Sequence, residues 1–233
     1  MKVQIRVCLF ILLMAAMDFS RSWPSPTSPM RMVPVPRAKL CVTEGAVEEL
    51  NGSRLSVNVP KMRAFVAAVT PQAVEARLTY LGHTRDVARL GSGAMREQFG
   101  LKLRAHDACN LVYAMWRIEP EPEFVVSVKS NPGMHTSSEC GNHGYRNIRP
   151  KRASAVPRLN PGSSHALFVE MTGSEMHVSV DGGGVWEGDL GPDALSFDGP
   201  VGVRTDNGRF EFQLLVRETG APIDCRAGDH GDE

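Results

Sequence analysis

The chain has 233 residues, and its 26 lysine and arginine residues balance 26 aspartate and glutamate residues, so its formal net charge at pH 7 is zero. This length suffices for one full-sized domain or two small ones. Zero net charge excludes a whole-molecule field that attracts nucleic acid, and any attraction for an anion must come from a local patch. The 22 glycines and 16 prolines favour many short elements joined by tight turns.

Residues 1–21 predict a secretory signal peptide. Lys2 and Arg6 precede an apolar run at 7–17, and a segment rich in proline and serine follows. The run is shorter than the roughly 20 apolar residues that a membrane-spanning helix needs, so a cleaved signal is favoured over an anchor. We therefore expect a secreted or periplasmic protein that has no membrane partner after cleavage.

Export to an oxidising compartment predicts that the remaining cysteines form disulfides. Loss of Cys8 with the signal leaves Cys41, Cys109, Cys140 and Cys225, an even number in an oxidising compartment. Two disulfides follow, with three connectivities open. We favour Cys109–Cys140 with Cys41–Cys225, because the second bond would tie the first and last segments of the domain together. The wide spacings and the lack of a C-x-x-C pair disfavour metal ligation.

Proline-rich residues 22–39 predict an extended linker, followed by a domain at 40–225 and a flexible tail at 226–233. Asn51-Gly52 is typical of a hairpin turn, and 61–69 fits a helix or a strand. Apolar and polar residues alternate with period 2 at 74–80, 101–107, 111–119, 124–131 and 209–216, and further strands are expected at 166–171, 175–180, 185–190 and 201–205. Many short strands separated by turns predict an all-β jelly-roll β-sandwich of two antiparallel sheets.

Alternation in the three central stretches, 101–107, 111–119 and 124–131, divides their side chains between the two faces of one sheet. Alternation predicts a buried face made of Leu101, Leu103, Ala105, Val112, Ala114, Trp116, Ile118, Phe124, Val126 and Val128. The opposite face would carry Lys102, Arg104, His106, Tyr113, Arg117, Glu119, Lys129 and Asn131.

The C-terminal third, HALFVEMTGSEMHVSVDGGGVWEGDL and then DGPVGVRTDNGRFEFQLLV, resembles the closing strands of laminin-G-like jelly rolls. The shared features are a strand, a glycine turn, a strand ending in Asp-Gly, and a Gly-Pro-Val-Gly segment before the last hairpin. These folds belong to the concanavalin A-like lectin and glucanase superfamily. That superfamily includes carbohydrate-binding modules, adhesion domains, glycoside hydrolases and polysaccharide lyases. Because the motifs concern turns and packing, they imply a fold rather than an activity.

The resemblance implies that the polar face of the central stretches shares one curved sheet. Arginine recognises carboxylate or sulfate with a bidentate fork, and lysine adds point charge. We therefore predict a groove for an acidic glycan, since the face sums to a basic charge; an ordinary solvated sheet face is the alternative. The predicted ligand-binding residues are Lys102, Arg104, His106, Tyr113, Arg117, Glu119, Lys129, Asn131 and His143.

The loop at 131–147 supplies the candidates for catalysis. His135 and Tyr145 could act as base and acid in a β-elimination beside an arginine that neutralises a uronate. A zinc site from His135, Glu139 and His143 would need a helix, which the nearby proline and glycines disfavour. The run Glu119, Glu121, Glu123 is interrupted by prolines and departs from the Glu-x-Asp-x-x-Glu pattern of the superfamily's hydrolases.

Two further predictions concern tryptophans and metals. Trp116 falls on the apolar face, whereas Trp186, beside a glycine turn, is the candidate for an exposed aromatic. Asp181, Asp198 and Asp206 lie in turns that could bind calcium, but such turns form for backbone reasons alone, so we predict no metal and no cofactor. The leading function is a lectin-like module for an acidic polysaccharide. The alternatives are a carbohydrate-active enzyme, a lyase rather than a hydrolase, or an adhesion module.

Overall fold

A computed structural model describes residues 31–68, 72–217 and 220–225. The predicted signal peptide, the start of the predicted linker and the predicted tail at 226–233 lie outside these residues. The described chain forms two antiparallel sheets packed face to face, which confirms the predicted jelly-roll β-sandwich. No helix in the described ranges has the length and apolar character that crossing a membrane requires.

Strands account for nearly all of the regular structure, with one α-helical turn and two short 3-10 turns. The 3-10 turns are Arg37–Lys39 and Pro192–Leu195, and the α-helical turn, α1, is Ser137–Cys140. The strands are β1 Met32–Pro34, β2 Leu40–Glu44, β3 Glu48–Asn51, β4 Arg54–Val57, β5 Lys61–Val66, β6 Ala73–His83, β7 Glu97–Leu103, β8 Leu111–Glu119, β9 Glu123–Lys129, β10 Tyr145–Asn147, β11 Arg152–Ala153, β12 Ser164–Thr172, β13 Glu175–Val180, β14 Gly183–Asp189, β15 Gly202–Asp206 and β16 Gly208–Arg217.

Pairing of these strands gives a nine-stranded and a seven-stranded sheet. The nine-stranded sheet has the order β11-β14-β13-β12-β6-β16-β4-β3, and β1 also pairs with β16. The seven-stranded sheet has the order β10-β9-β8-β7-β15-β5-β2. The central stretches therefore lie side by side as β9, β8 and β7. β15, from far along the chain, lies between β7 and β5.

The core lies between the sheets and is built from alternate residues of both. Phe99 of the seven-stranded sheet meets Phe210 of the nine-stranded sheet edge to face, with ring centroids 5.1 Å apart. Trp116 is fully buried, as predicted. Trp186 is only 1% exposed, so its prediction as an exposed aromatic is wrong. Its side chain belongs to the core cluster between the sheets, and the pairing of β14 with β13 and β11 that positions it is not revealed by the local turn.

The folded domain begins earlier than the predicted boundary at residue 40. β1 pairs with the end of β16, Val35 is 2% exposed, and its N–H donates to the carbonyl of Leu214 at 2.8 Å. Part of the predicted linker is therefore an integral edge strand. Proline is tolerated at an edge because no neighbour needs its missing N–H, which explains how Pro34 fits a strand.

Both predicted disulfides are present. Cys41–Cys225 joins β2 to the C-terminal segment, and Cys109–Cys140 joins the loop after β7 to α1. Their Cα atoms are 5.3 Å and 5.9 Å apart, within the usual range. Two disulfides are typical of proteins in oxidising compartments.

Candidate functional site: a basic groove on the seven-stranded sheet

The outward face of the seven-stranded sheet forms a groove of ≈ 750 Å³. Its floor comes from alternate residues of β5, β15, β7, β8 and β9, while α1, β10 and residues 105–108 line one end. Gly100 keeps the centre of the floor low. A Cβ there would lie 2.3 Å from the sulfur of Met115, so only glycine lets that side chain cross the neighbouring strand.

A buried carboxylate organises the floor of the groove. Asp206, at 0% exposure, accepts a hydrogen bond from Arg63 Nη2 to Oδ1 at 2.6 Å. Its Oδ2 accepts from Arg204 Nε at 2.9 Å and from Gln98 Nε2 at 2.6 Å. These bonds come from β5, β15 and β7, so the network fixes three adjacent strands and places two guanidinium groups in the groove. Charge-assisted bonds of this kind are stronger than neutral ones.

The electrostatics of this network keep Asp206 charged. Burial alone would raise the pKa of Asp206, but attraction to Arg204 and Arg63 outweighs burial and lowers that pKa to about 2. Burial acts to lower the pKa of Arg204, and the charge of Asp206 reverses this and raises it above its usual value. The Asp206 network therefore carries two positive charges, those of Arg63 and Arg204, against the one negative charge of Asp206.

An aromatic pair lies beside these arginines. The guanidinium carbon of Arg204 is 4.9 Å from the centroid of the Tyr113 ring, a cation–π distance. Tyr113 stacks on Tyr145, with centroids 6.0 Å apart and planes 21° apart. Burial, followed by the proximity of Tyr145, raises the pKa of Tyr113. Tyr145 is 39% exposed and presents its ring to the groove.

Lys129 closes one end of the groove. Its Nζ donates to the carbonyls of Ala108 at 2.9 Å and Gly141 at 3.0 Å, and lies 5.2 Å from the centroid of Tyr145. These carbonyls belong to residues adjacent to Cys109 and Cys140. The disulfide therefore holds both acceptors of Lys129 in place and fixes this end of the groove.

Two arginines at the other end differ in their partners. Arg117 Nη1 lies 2.5 Å from Glu123 Oε2. Among the residues that the structure describes, the guanidinium of Arg96 has no hydrogen-bond partner, although it lines the groove. Burial, followed by repulsion from Arg117, lowers the pKa of Arg96. Arg96 is therefore the groove cation best placed to gain from an incoming anion.

The lining as a whole is positively charged. Seven cationic side chains face three carboxylates, with Asp206 beneath them. The cations are Lys61, Arg63, Arg96, Lys102, Arg117, Lys129 and Arg204, and the carboxylates are Glu44, Asp107 and Asp198.

Six of the predicted site residues line this groove: Lys102, His106, Tyr113, Arg117, Lys129 and Tyr145. The other five do not. They are Arg104, Glu119, Asn131, His135 and His143.

Arg104 is the clearest correction. It has φ +47°, in the left-handed region, and β7 ends one residue before it. Its guanidinium donates to the carbonyl of Phe197 at 3.2 Å. The turn also reverses the alternation, so Ala105, predicted for the core, packs instead with Leu111 and Tyr113 on the groove side.

Glu119 and Asn131 have other surroundings. Glu119 ends β8 opposite Glu97, where a bulge interrupts the register of β7 and β8. The amide of Asn131 donates to the carbonyls of Cys109 and His143 at 3.1 Å each, which supports the loop rather than the groove. The His143 side chain is exposed.

His135 lies beside the groove rather than in it. Its Nδ1 is 2.7 Å from Oδ2 of Asp107. Glu139, grouped with it in the disfavoured zinc arrangement, accepts the backbone N–H groups of His135 and Thr136 at 2.8 Å and so caps α1. These bonds lower the pKa of Glu139 to about 2.

Several residues of the groove were not predicted as site residues from the sequence. They are Arg63, Arg96, Gln98, Arg204 and Asp206. Alternation in β5 and β15 would have marked Arg63 and Arg204 as outward residues. Nothing local indicates that β15 pairs with both β5 and β7. An Asn-Gly pair follows Asp206 and is typical of a turn, so the sequence indicates a turn residue rather than a site residue at this position.

No family model and no curated protein matches this sequence. Among solved structures, the chain is similar to the carbohydrate-binding module CBM66 from Bacillus subtilis, with 14% identity, 76% of this chain and 93% of that chain covered, and a TM-score of 0.52. It is also similar to the carbohydrate recognition domain of Emp47p (7% identity, 83% and 100% covered, TM-score 0.49). A third similar structure is the alginate lyase AlyC3 (11%, 70% and 74%, 0.42). At 14% identity the likeness to the carbohydrate-binding module shows the fold alone, a β-sandwich.

Proposed function

We propose that this protein is an exported, laminin-G-like module whose groove binds an acidic polysaccharide without cleaving it. The observation that carries the proposal is the excess of cations over carboxylates in one groove, together with the guanidinium of Arg96, which has no hydrogen-bond partner among the described residues. The signal-peptide features and the two disulfides support export. The similarity to a carbohydrate-binding module agrees with the proposed class of ligand.

The groove fits an extended chain. From Tyr113, on which Tyr145 stacks, to Arg117, β8 runs four residues, about 13 Å at roughly 3.3 Å per residue, which is long enough for more than one sugar unit. Arg96 and Arg117 would receive carboxylate or sulfate groups at one end. Tyr145 at the other end would stack against a sugar ring and offer its hydroxyl to sugar hydroxyls.

Isothermal titration calorimetry against a panel of glycans tests the proposal. Polyuronates and sulfated polysaccharides should bind saturably and more weakly as salt is added, whereas neutral glucans should not bind. Arg96→Ala should weaken acidic-glycan binding at least about tenfold, because a hydrogen bond to a charged group contributes roughly 1.5–3 kcal/mol.

Arg77→Ala is the matched control, since Arg77 lies on the other sheet and pairs with Glu75 at 2.6 Å. It should leave binding unchanged. Equal loss in both variants would indicate a general charge effect. No loss in either variant, or in Arg96→Ala with Arg117→Ala, would rule out the groove.

The tyrosine pair favours a second candidate function, a polysaccharide lyase. In β-elimination a base removes the proton next to the uronate carboxylate, and the glycosidic oxygen leaves with a proton from an acid. The hydroxyl of Tyr145, which is exposed in the groove and stacked on Tyr113, would be the acid. Ultraviolet absorbance of unsaturated products would support this function, and Tyr145→Phe should abolish it. Glycan binding with no such product selects the non-catalytic module.

A further inference from the structure

Two histidines and an aspartate converge where the loop after β7 meets the loop before α1. One ligand atom from each of His106, Asp107 and His135 lies within 4.8 Å of the other two. Both histidines are exposed, His135 by 53% of its side chain, while Asp107 is buried. His106 and Asp107 also line the end of the groove.

Asp107 is held in position by its own loop. Its Oδ1 accepts the backbone N–H of Cys109 at 2.8 Å, the backbone N–H of Asn110 at 2.7 Å and the amide of Asn110 at 3.0 Å. Its Oδ2 faces His135 Nδ1 at 2.7 Å. A carboxylate oriented by this many donors is already fixed for a further partner before that partner binds.

The two loops that supply these residues are cross-linked. The Cys109–Cys140 disulfide joins them covalently. Ala108 N–H donates to the carbonyl of His135 at 3.2 Å, and the amide of Asn110 donates to the carbonyl of Met134 at 2.9 Å. The imidazole of His106 is oriented by the carbonyl of Asp198, 3.0 Å from its Nδ1. The cluster therefore does not have to assemble two mobile loops when it binds an ion.

We propose that His106, Asp107 and His135 form a binding site for a divalent transition-metal ion, with Zn²⁺ as its best match. Imidazole nitrogens with one carboxylate suit zinc, whereas calcium prefers an all-oxygen shell. Bonds of roughly 2.0–2.1 Å place tetrahedral ligands about 3.3 Å apart. Rotation of the two exposed imidazoles therefore has to close the widest ligand pair by at most about 1.5 Å and to open His135 Nδ1 and Asp107 Oδ2, now 2.7 Å apart, by about 0.6 Å. Three protein ligands leave a fourth position open at the end of the groove.

Calorimetric titration of tag-free protein with Zn²⁺ tests the site. The wild type should bind one ion per chain and show little response to Ca²⁺. His106→Ala and His135→Ala should each weaken zinc binding at least about tenfold, because losing even an outer-shell partner of a metal ligand costs 10–100-fold. His143→Ala is the matched control, since its exposed imidazole lies in the same segment outside the cluster; it should bind zinc as the wild type does.

Thermal unfolding provides a readout that does not need a glycan. Saturating Zn²⁺ should raise the melting temperature of the wild type and of His143→Ala, but not that of His135→Ala. Asp107→Asn keeps the size of the side chain and should weaken zinc binding while the circular dichroism spectrum stays native. The site is overturned if the wild type binds no zinc at one per chain, or if the double variant His106→Ala with His135→Ala retains that binding. Zinc binding of this kind is independent of glycan binding, so one can fail while the other holds.

Discussion

The outward faces of the two sheets carry charge in different ways. On the nine-stranded sheet, three arginines each pair with a carboxylate of their own. The pairs are Arg54–Glu211 at 2.7 Å, Arg77–Glu75 at 2.6 Å and Arg217–Glu170. On the seven-stranded sheet, Arg63 and Arg204 share the buried carboxylate of Asp206, Arg63 also lies 3.6 Å from Glu44, and further cations line the groove above Asp206.

This difference separates a solvated face from a binding face. Both faces show the same alternation of polar and apolar residues, so the pattern alone does not distinguish them. What distinguishes them is the depth at which the charges lie and the number of opposite charges beside them. Exposed ion pairs contribute roughly 0–1 kcal/mol each to stability. Removing a buried carboxylate from between two guanidinium groups costs more, because it leaves buried charge without its partner.

Removal of Asp206 tests this comparison with the largest expected effect. Asp206→Ala leaves Arg63 and Arg204 without their shared carboxylate and should lower the free energy of unfolding by about 3–5 kcal/mol, as loss of one partner in a buried ion pair does. Urea unfolding of the variant and the wild type measures the change. Glu211→Ala is the control on the other sheet and should cost at most about 1 kcal/mol. Equal costs for the two variants would remove the distinction between the faces.

The Cys109–Cys140 disulfide is the next test, since it fixes the groove end that holds Lys129. It closes a separation of 31 residues, for which loop-closure entropy predicts about 3–4 kcal/mol of stabilisation. The double serine variant should lose that amount in urea unfolding. It should also bind acidic glycans more weakly, because the carbonyls of Ala108 and Gly141 are no longer held for Lys129. Unchanged glycan affinity at reduced stability would show that this end of the groove does not bind the ligand.

The fold was largely predictable because each strand obeys one local rule. Val112, Ala114, Trp116 and Ile118 point into the core, since a half-buried strand alternates with period 2. The rule failed at Arg104, whose left-handed backbone turns the chain and moves Ala105 to the opposite face. A positive φ at a non-glycine residue has no local sequence signature, so that error could not have been avoided from the residues alone.

The site was less predictable because it depends on which strands are neighbours. Lys102, Tyr113, Arg117 and Lys129 come from consecutive strands, and alternation placed them on one face. Asp206 and Gln98 are 108 residues apart and meet only because β15 lies beside β7. Strand order is set by the packing of the whole domain. The sequence therefore does not predict the contact between Asp206 and Gln98, whereas it does predict that the residues of the consecutive strands share one face.

The acid stability of the protein should depend on Asp206. The folded-state pKa of this carboxyl, about 2, lies below its unfolded value, so its contribution is fully present above about pH 4 and is lost as the pH falls toward 2. The expected loss is about 2–3 kcal/mol. Asp206→Asn cannot titrate and should lose correspondingly less stability between pH 6 and pH 2, measured by urea unfolding at each pH. Parallel pH profiles for the variant and the wild type would contradict the buried network as the source of this dependence.

The smallest expected effect concerns the stacked pair of Tyr113 and Tyr145 on the seven-stranded sheet. Tyr145→Ala removes a stacked pair that contributes roughly 0.5–1.5 kcal/mol, so unfolding free energy should fall by about 1 kcal/mol, while Tyr145→Phe should retain most of it. Binding separates the two roles of the residue. If the ring is a platform for sugar, alanine weakens glycan affinity and phenylalanine largely preserves it; if only the hydroxyl matters, both variants bind equally weakly. Equal affinity in both variants and the wild type would restrict the binding face to the cations, because the aromatic end would then serve only to pack against Tyr113.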